Sequence, residues 1–548
     1  MLRLAAVFVS LLALAPQASA QWNYAQEAEF NSQVLFGGNS GLGHAVALDG
    51  DTAAVGVPHP GGGGSGGRVA VYRRTGGVWA LEADLGPLDG TNGNYCGWSV
   101  ALHGDTLVAG AMYAYAGAQA GVGAAYVFQR SGTTWTQQQK LVASDPLQGA
   151  EFGHSVAISG STIAVGAPQA TYASQGGRGA AYIFEFDGLT WSQTQKLAGS
   201  GTTFGARNGS SVAIDGSRLV IGARTTWENG GATIGTGSGW VFVKSGASWV
   251  EQQKLQSTSY VAWALLGASC AIDGNRIVLG AEGEESNKGA AYVFDLVGGT
   301  WQQKARLTGA NTDASDYFGR GVAVSGNRIV VGAPNFDSAT PQGNGAVKLF
   351  DFDGTAWTER AELLGNPMYV GDTLGDACAI QGDLVVGGSP SLAFGQHGRV
   401  WMWNIDPPVT ATYCTAKTTS NGCVPAIASS GVPSLSSALP FTVSASSVLN
   451  QKQGLCFYGF NPAAASFQGG YLCITPPTKR TAAQNSGGSP AGLDCSGTFA
   501  LDFNATIQSG VDPLLTIGAE VYFQYWFRDP QSPSTTGLSN GLRAFIQG

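Results

Sequence analysis

Few residues in this chain have the types and spacing that chemistry requires. It carries five histidines, His44, His59, His103, His154 and His397, among 548 residues. Nucleophilic catalysis or zinc binding needs such a residue beside a serine, a cysteine or a second ligand at fixed spacing. No His-Glu-x-x-His, Gly-x-Ser-x-Gly, phosphate-binding glycine loop or paired-cysteine zinc pattern occurs. Glycoside hydrolysis needs two carboxylates at matched separation, and although distant parts of a fold could supply them, no pair stands out. Asp313 and Asp316 share one loop and read as solvated. His44 and His154 hold one register in two copies of a repeat, so they read as structural. No cofactor and no metal are expected, and binding is expected over catalysis.

That register belongs to a unit that organises about the first 400 residues. Its strand-one signals are His44–Leu48, Trp98–Leu102, His154–Ile158, Ser210–Ile214, Ala268–Ile272, Arg320–Val324 and Asp376–Ile380. Spacings between copies are 54, 56, 56, 58, 52 and 56 residues. Each copy continues through a second strand such as Thr162–Gly166, an Ala-Ala-Tyr-Val-Phe strand such as Ala124–Phe128, and a Trp-x-x-x-x-x-Leu strand such as Trp135–Leu141. β-Branched and aromatic residues between glycine turns favour strands. A period of this size with four short strands reads as a propeller. Strands one and two are joined at Asp49-Gly50, His103-Gly104, Ser159-Gly160, Asp215-Gly216, Asp273-Gly274, Ser325-Gly326 and Gln381-Gly382, where glycine accepts positive φ.

The seventh copy ends at Arg399–Trp403 without a fourth strand. Tyr24–Phe30 lines up with the fourth strand Trp357–Leu363 and can supply it. Such closure removes exposed edge strands. The expected fold is all-β: a seven-bladed propeller over residues 21–405, a linker at 406–410, and a small β-sandwich over 411–548.

Phe152-Gly153 with Gly166-Ala167-Pro168, and Phe318-Gly319 with Gly332-Ala333-Pro334, resemble the FG-GAP repeats of integrin α-subunit propellers and their bacterial relatives. Leu42, Cys96, Leu266 and Leu374 stand in for the phenylalanine, and in the fourth copy Phe204-Gly205 comes four residues early. Calcium-binding members of that family carry an Asp-x-Asp-x-Asp-Gly-x-x-Asp loop between strands one and two. This chain has only a two-residue turn there. Asp49 and Asp51 lack a third carboxylate, whereas calcium takes about 6–8 oxygens. The resemblance therefore brings no metal with it.

The connections after strand two are long and variable, as at 111–123, 167–178, 223–236 and 333–343. Loops on a rigid scaffold are where binding residues concentrate. Tyr113, Tyr115, Tyr172, Trp227, Trp263, Tyr317, Phe336 and Tyr369 are the candidate ligand contacts, since aromatic faces stack on sugars or anchor proteins. The Trp, Tyr and Phe of the strand motifs read as core.

Charged residues make up 12% and net charge is −8, with no basic run. Nucleic acid is therefore an unfit partner. Arg3, the apolar run 4–15 and Ala18-Ser19-Ala20 read as a secretory signal cleaved near Ala20. No later stretch has the roughly 18 apolar residues of a membrane helix. Residues 1–20 thus read as a leader of a secreted, cell-surface or periplasmic protein, expected to be a monomer. Export would bring its cysteines into an oxidising compartment.

The C-terminal strand candidates are Phe441–Leu449, Leu455–Phe460, Tyr471–Ile474, Gly497–Phe503, Val521–Phe527 and Leu542–Ile546. Cys414, Cys423, Cys473 and Cys495, with the sequence around them, resemble uncharacterised tail domains of secreted bacterial repeat proteins. The resemblance implies two disulfides and leaves their connectivity open. Cys456, Cys270 and Cys378 read as buried thiols, and Cys96 replaces a motif phenylalanine. Asn208-Gly-Ser210 and Asn504-Ala-Thr506 match the glycosylation pattern. The sequence points to a secreted, non-catalytic propeller presenting its loop face to a protein or glycan. The alternatives are an extracellular polysaccharide lyase or hydrolase working in the propeller depression, and a structural envelope component.

Overall fold

The computed structural model describes residues 24–548 except 33–39, 60–65, 91–92, 116–118, 120, 228–234, 259–260, 338–342, 366–370, 391–396, 406–409, 438, 517–518 and 547–548. The leader reading falls outside the described residues. The chain packs into two units, Tyr24–Ile405 and Asp406–Gly548.

In the first unit every repeat folds as a four-stranded antiparallel meander. In the third blade the strands are Ser155–Ser159, Thr162–Ala167, Ala180–Phe186 and Trp191–Leu197, paired in that order. Seven such sheets form. The innermost strand of each packs against that of the next, and Ala377–Gln381 of the seventh packs against Val46–Asp49 of the first. The ring is closed. Ala25–Asn31 completes the seventh blade by pairing with Arg399–Asn404, placing Phe30 opposite Val400. Leu363 stands opposite Val347 in the sixth blade in the same register. Aliphatic and small residues such as Leu219, Ile221 and Gly222 fill the second strands, while Tyr126, Tyr182, Trp240 and Tyr292 on the third strands fill the wider gaps and are buried.

The blades are locked by side chains that the repeat places in register. Asp49 pairs with Thr52, so the two-residue loop is Gly50-Asp51, one residue later than the sequence pattern suggests. The leading glycines Gly50, Gly104, Gly160, Gly216, Gly274, Gly326 and Gly382 all have φ between 54° and 56°, the glycine-first order of a type II′ turn. The residue before each glycine is thereby free to cap the next blade. Ser159 Oγ accepts from Gly216 N–H at 3.0 Å, Asp215 from Gly274 at 2.7 Å and Ser325 from Gly382 at 3.1 Å. Asp49 and Asp273 do the same for Gly104 and Gly326, and Gln381 caps Gly50 across the closure. Asp49 is thus a clamp between blades. At the other end of the inner strands, Ser99, Ser155, Ser211 and Ser269 donate to the carbonyls of Gly153, Gly209, Gly267 and Gly319 in the next blade at 2.8–2.9 Å.

Two motif glycines exist for close approach. A Cβ on Gly153, at φ +91°, would lie 2.3 Å from the Ala124 carbonyl, and one on Gly166 would lie 2.2 Å from the Gly209 carbonyl. Backbone packs on backbone between blades only without side chains there. Phe152, and its substitutes Leu42, Cys96, Leu266 and Leu374, are buried beside this contact. In the fourth blade the motif position is taken by Asn208-Gly209. Asn208 bridges Gly179 as Phe152 bridges Gly123, while Phe204 is 74% exposed. Phe204-Gly205 is therefore not a displaced motif. The buried Asn208 is tolerated because its Oδ1 accepts from Gly199 N–H and its Nδ2 donates to the Arg178 carbonyl, at 2.9 and 2.8 Å. It cannot also serve as a glycan acceptor, and neither can buried Asn504, whose amide bonds Ser434, Val432 and Leu439.

The second unit is a sandwich. A seven-stranded sheet contains Thr410–Tyr413, Gln453–Gly459, Glu520–Arg528 and Gly541–Phe545. A three-stranded sheet comprises Ala426–Ser430, Thr442–Val448 and Gly497–Asp502. Their inner faces share one core that includes Val443, Phe499, Phe523 and Tyr525. A hairpin, Pro462–Phe467 with Gly470–Ile474, forms a separate two-stranded sheet. The disulfides are Cys414–Cys473 and Cys423–Cys495. Cys96, Cys378 and Cys456 are buried free thiols, and Cys270 is half-buried. Burial pushes the Cys96, Cys270 and Cys378 thiols up to about 12, which removes thiolate reactivity.

Candidate functional site

The hairpin turns joining strands one to two and three to four share one face of the ring. The variable loops and the starts of the inner strands therefore share the other. The residue that opens each inner strand is His44, Trp98, His154, Ser210, Ala268, Arg320 or Asp376. These side chains converge on the axis. On blades one to three they build a cluster of rings. His44 lies 4.1 Å from Trp98, and Trp98 lies 6.2 Å from His154. Tyr95 extends the cluster outward: it meets Trp98 at 6.3 Å, His59 edge-on at 4.4 Å and Tyr113 edge-on at 5.2 Å.

The far side of the mouth is charged. Arg320 donates to Asp376 at 3.0 Å and to Glu282 at 3.1 Å. The nearby Asp376 carboxylate holds the Arg320 pKa above its usual value. Arg207 and Arg224 of the fourth blade lie near Glu151 of the third. Burial raises the Glu151 carboxyl and lowers the Arg224 guanidinium. Burial, with Arg224 alongside, presses the His154 imidazole down to about 4. Burial also lowers His44, whose Nδ1 lies 3.0 Å from the Trp98 carbonyl. Both imidazoles are neutral at pH 7.

The chain holds strained backbone to build this mouth. Tyr95, Glu151, Arg207, Leu265 and Tyr317, each just before the Phe-Gly position, all have φ between 56° and 60°. Each costs on the order of 1 kcal/mol. The local reason is the motif turn: Trp98 N–H bonds the Tyr95 carbonyl, and His154, Ser210, Ala268 and Arg320 repeat that bond.

Of the aromatic candidates, Tyr113, Tyr115, Trp227 and Trp263 are exposed. Tyr113 belongs to the ring cluster. Trp263 lies against Gly235 of the preceding blade's loop. Tyr172 is half-buried under the Arg178 guanidinium, 4.9 Å away, and Tyr317 is half-buried beside the motif Phe318. Phe336 is a correction. It is 2% exposed, packed into the core, with Lys348 Nζ 3.8 Å from its ring centre. Its loop folds back because Phe336 N–H bonds the Ala333 carbonyl. Tyr369 lies outside the described residues. Asp316 caps its own loop by accepting from Asp313 N–H at 2.6 Å. Among the described residues no three His, Cys, Asp or Glu side chains group as metal ligands.

Sequence reasoning passed over His59, Tyr95, Trp98, Arg207, Arg224 and Glu282, and read His44 and His154 as structural. A signal was available. The position opening strand one changes chemical class in almost every copy while the next four residues barely change. A repeat whose scaffold is constant and whose rim varies presents its differences at the rim.

The FG-GAP repeat family matches residues 79–128, 135–184, 191–243, 249–294 and 301–350. Each match runs from the outer strand of one blade to the third strand of the next, across the Phe-Gly junction. No curated protein matches the chain. Five matched repeats, seven four-stranded sheets and one closed ring agree: the chain carries FG-GAP repeats, and its unit Tyr24–Ile405 is a β-propeller built on them.

Proposed function

We propose that this is an exported binding protein whose propeller holds an extracellular glycan at the loop-face mouth. The observation that carries the reading is the continuous cluster of Trp98, Tyr95, Tyr113, His44, His59 and His154 facing an arc of Arg207, Arg224, Glu282, Arg320 and Asp376. Sugar rings offer apolar faces for the aromatic side and hydroxyls for the charged arc. The two disulfides fit an oxidising compartment. Among the described residues no helix is long and apolar enough to cross a membrane. A protein partner is the variant of this reading favoured by the solvent-facing Trp227 and Trp263.

A glycan array probed with the protein and with Trp98→Ala tests it. Binding that drops at least tenfold in the variant supports the mouth, and a blank array together with blank pull-downs from cell-surface fractions removes it.

A second reading is a lyase acting on acidic polysaccharide. It is favoured by arginines, a tyrosine and imidazoles gathered around one mouth. Arginine would neutralise the uronate carboxylate, and Tyr95 or His154 would carry the C5 proton to the departing O4 as the C4–O4 bond breaks and the C4=C5 bond forms. Release of an unsaturated uronate from any substrate bound on the array would establish it.

A further inference from the structure

The C-terminal sandwich has a cavity of its own. The hairpin Pro462–Phe467/Gly470–Ile474 stands over the outer face of the large sheet and leaves about 340 Å³ beneath it. That lies at the small end of the roughly 300–1,000 Å³ of small-molecule sites. The sheet supplies Leu455 and Phe457 from one strand, Trp526 from its neighbour and Leu538 from the edge. The hairpin supplies Phe467 and Leu472.

The hairpin is fastened. Cys414–Cys473 ties its second strand down. Gln524, buried in the sheet, donates to the Tyr471 carbonyl at 2.9 Å and accepts from Cys473 N–H at 3.0 Å. The cavity is therefore a fixed feature between two anchored elements.

One cation meets it. Arg480 pairs across its strand with Phe457 and lines the cavity. Its neighbour Lys479 is matched by Asp512 at 2.5 Å, while among the described residues the Arg480 guanidinium has no carboxylate or hydrogen-bond partner. Thr478 and Gln468 line the cavity as well. Gln468 Oε1 accepts from Thr536 Oγ1 at 2.8 Å, leaving its amide N–H groups to donate elsewhere. An apolar cup with one unmatched guanidinium and two neutral polar groups suits a slim apolar molecule ending in an anion.

We infer that the C-terminal sandwich binds a small apolar carboxylate, its chain between hairpin and sheet and its carboxylate on Arg480. The site lies within the C-terminal unit, and the inference does not rest on the proposed propeller function. The test is titration of the full-length protein with decanoate, followed by calorimetry and tryptophan fluorescence. Decanol and decyltrimethylammonium serve as the uncharged and cationic counterparts. Decanoate should bind at least roughly tenfold more tightly than either, and Arg480→Gln should erase that preference. Arg480 is exposed, so the variant keeps the fold. Leu472→Trp, which narrows the cavity from the hairpin side, should weaken all three amphiphiles. Absence of decanoate binding, equal binding of decanol, or a preference that survives Arg480→Gln would each overturn the inference.

Discussion

Asp215, Ser159 and Ser325 do the same work in different blades: each reaches out of its own turn to hold the turn glycine of the next. Intramolecular hydrogen bonds contribute about 0.5–1.5 kcal/mol net, and more when one partner is charged; these turn caps are half-buried or exposed. Asp215→Ala should therefore cost about 1–2 kcal/mol, read from urea unfolding, without altering the loop face. His154 makes a pH-dependent contribution. Its folded value of about 4 lies below the ordinary 6.5, so the unfolded chain takes up the proton first. Stability from this group is complete above pH 6.5 and is lost as pH falls through about 4. Asp372 works in the opposite sense, because burial lifts its carboxyl to about 6 despite Arg399. Its contribution is complete below its ordinary 3.8 and fades as pH rises through 6. Comparison with His154→Gln isolates the histidine: the variant should lose less stability than the parent between pH 6.5 and 4 in paired denaturation curves.

The element with the most leverage is the N-terminal strand Ala25–Asn31. It completes the seventh sheet and also touches the first blade through Glu27, which accepts from Arg74 Nη2 and Nε at 2.6 and 2.7 Å and from Trp79 Nε1 at 2.9 Å. Glu82 holds Trp135 in the same way at 2.8 Å. Glu27→Ala leaves the Arg74 guanidinium and the Trp79 indole N–H without this acceptor, at a cost of about 2 kcal/mol, visible as a lower propeller melting temperature. In the second unit the disulfides close spans of 59 and 72 residues, each worth about 4 kcal/mol by chain entropy. Reduction should lower the melting transition of the sandwich and leave that of the propeller in place, resolved by calorimetry.

The elements were legible in the sequence because their period is carried by residues with one local meaning each: glycine at turns, small residues inside, aromatics outside. The six C-terminal strands foreseen are all present within one or two residues. The short edge strand Ala426–Ser430 and the hairpin strand Pro462–Phe467 escaped notice, as half-exposed segments rich in Ala and Ser carry little alternation. The mouth was less legible. Tyr95 and Trp98 share one motif turn, but His44 and His59 of the preceding repeat join them only when blades stack. Phe336 misled in the other direction, since a loop position says nothing about whether the loop folds inward.

At the scale of the molecule, closure makes a rigid ring of seven similar blades, and the differences among blades collect where the inner strands begin. That asymmetry, rings on blades one to three and an arc of charges running from Glu151 through blades four to seven, is what gives the propeller a binding face with a direction. The measurement that tests this most directly is a glycan array and a surface-fraction pull-down run in parallel with the parent protein, Trp98→Ala, and Asp215→Ala as a scaffold control on the opposite face. Binding by the parent and by Asp215→Ala, with at least a tenfold loss in Trp98→Ala, is the expected result. Binding that is untouched by Trp98→Ala, or no binding by the parent at all, would contradict it.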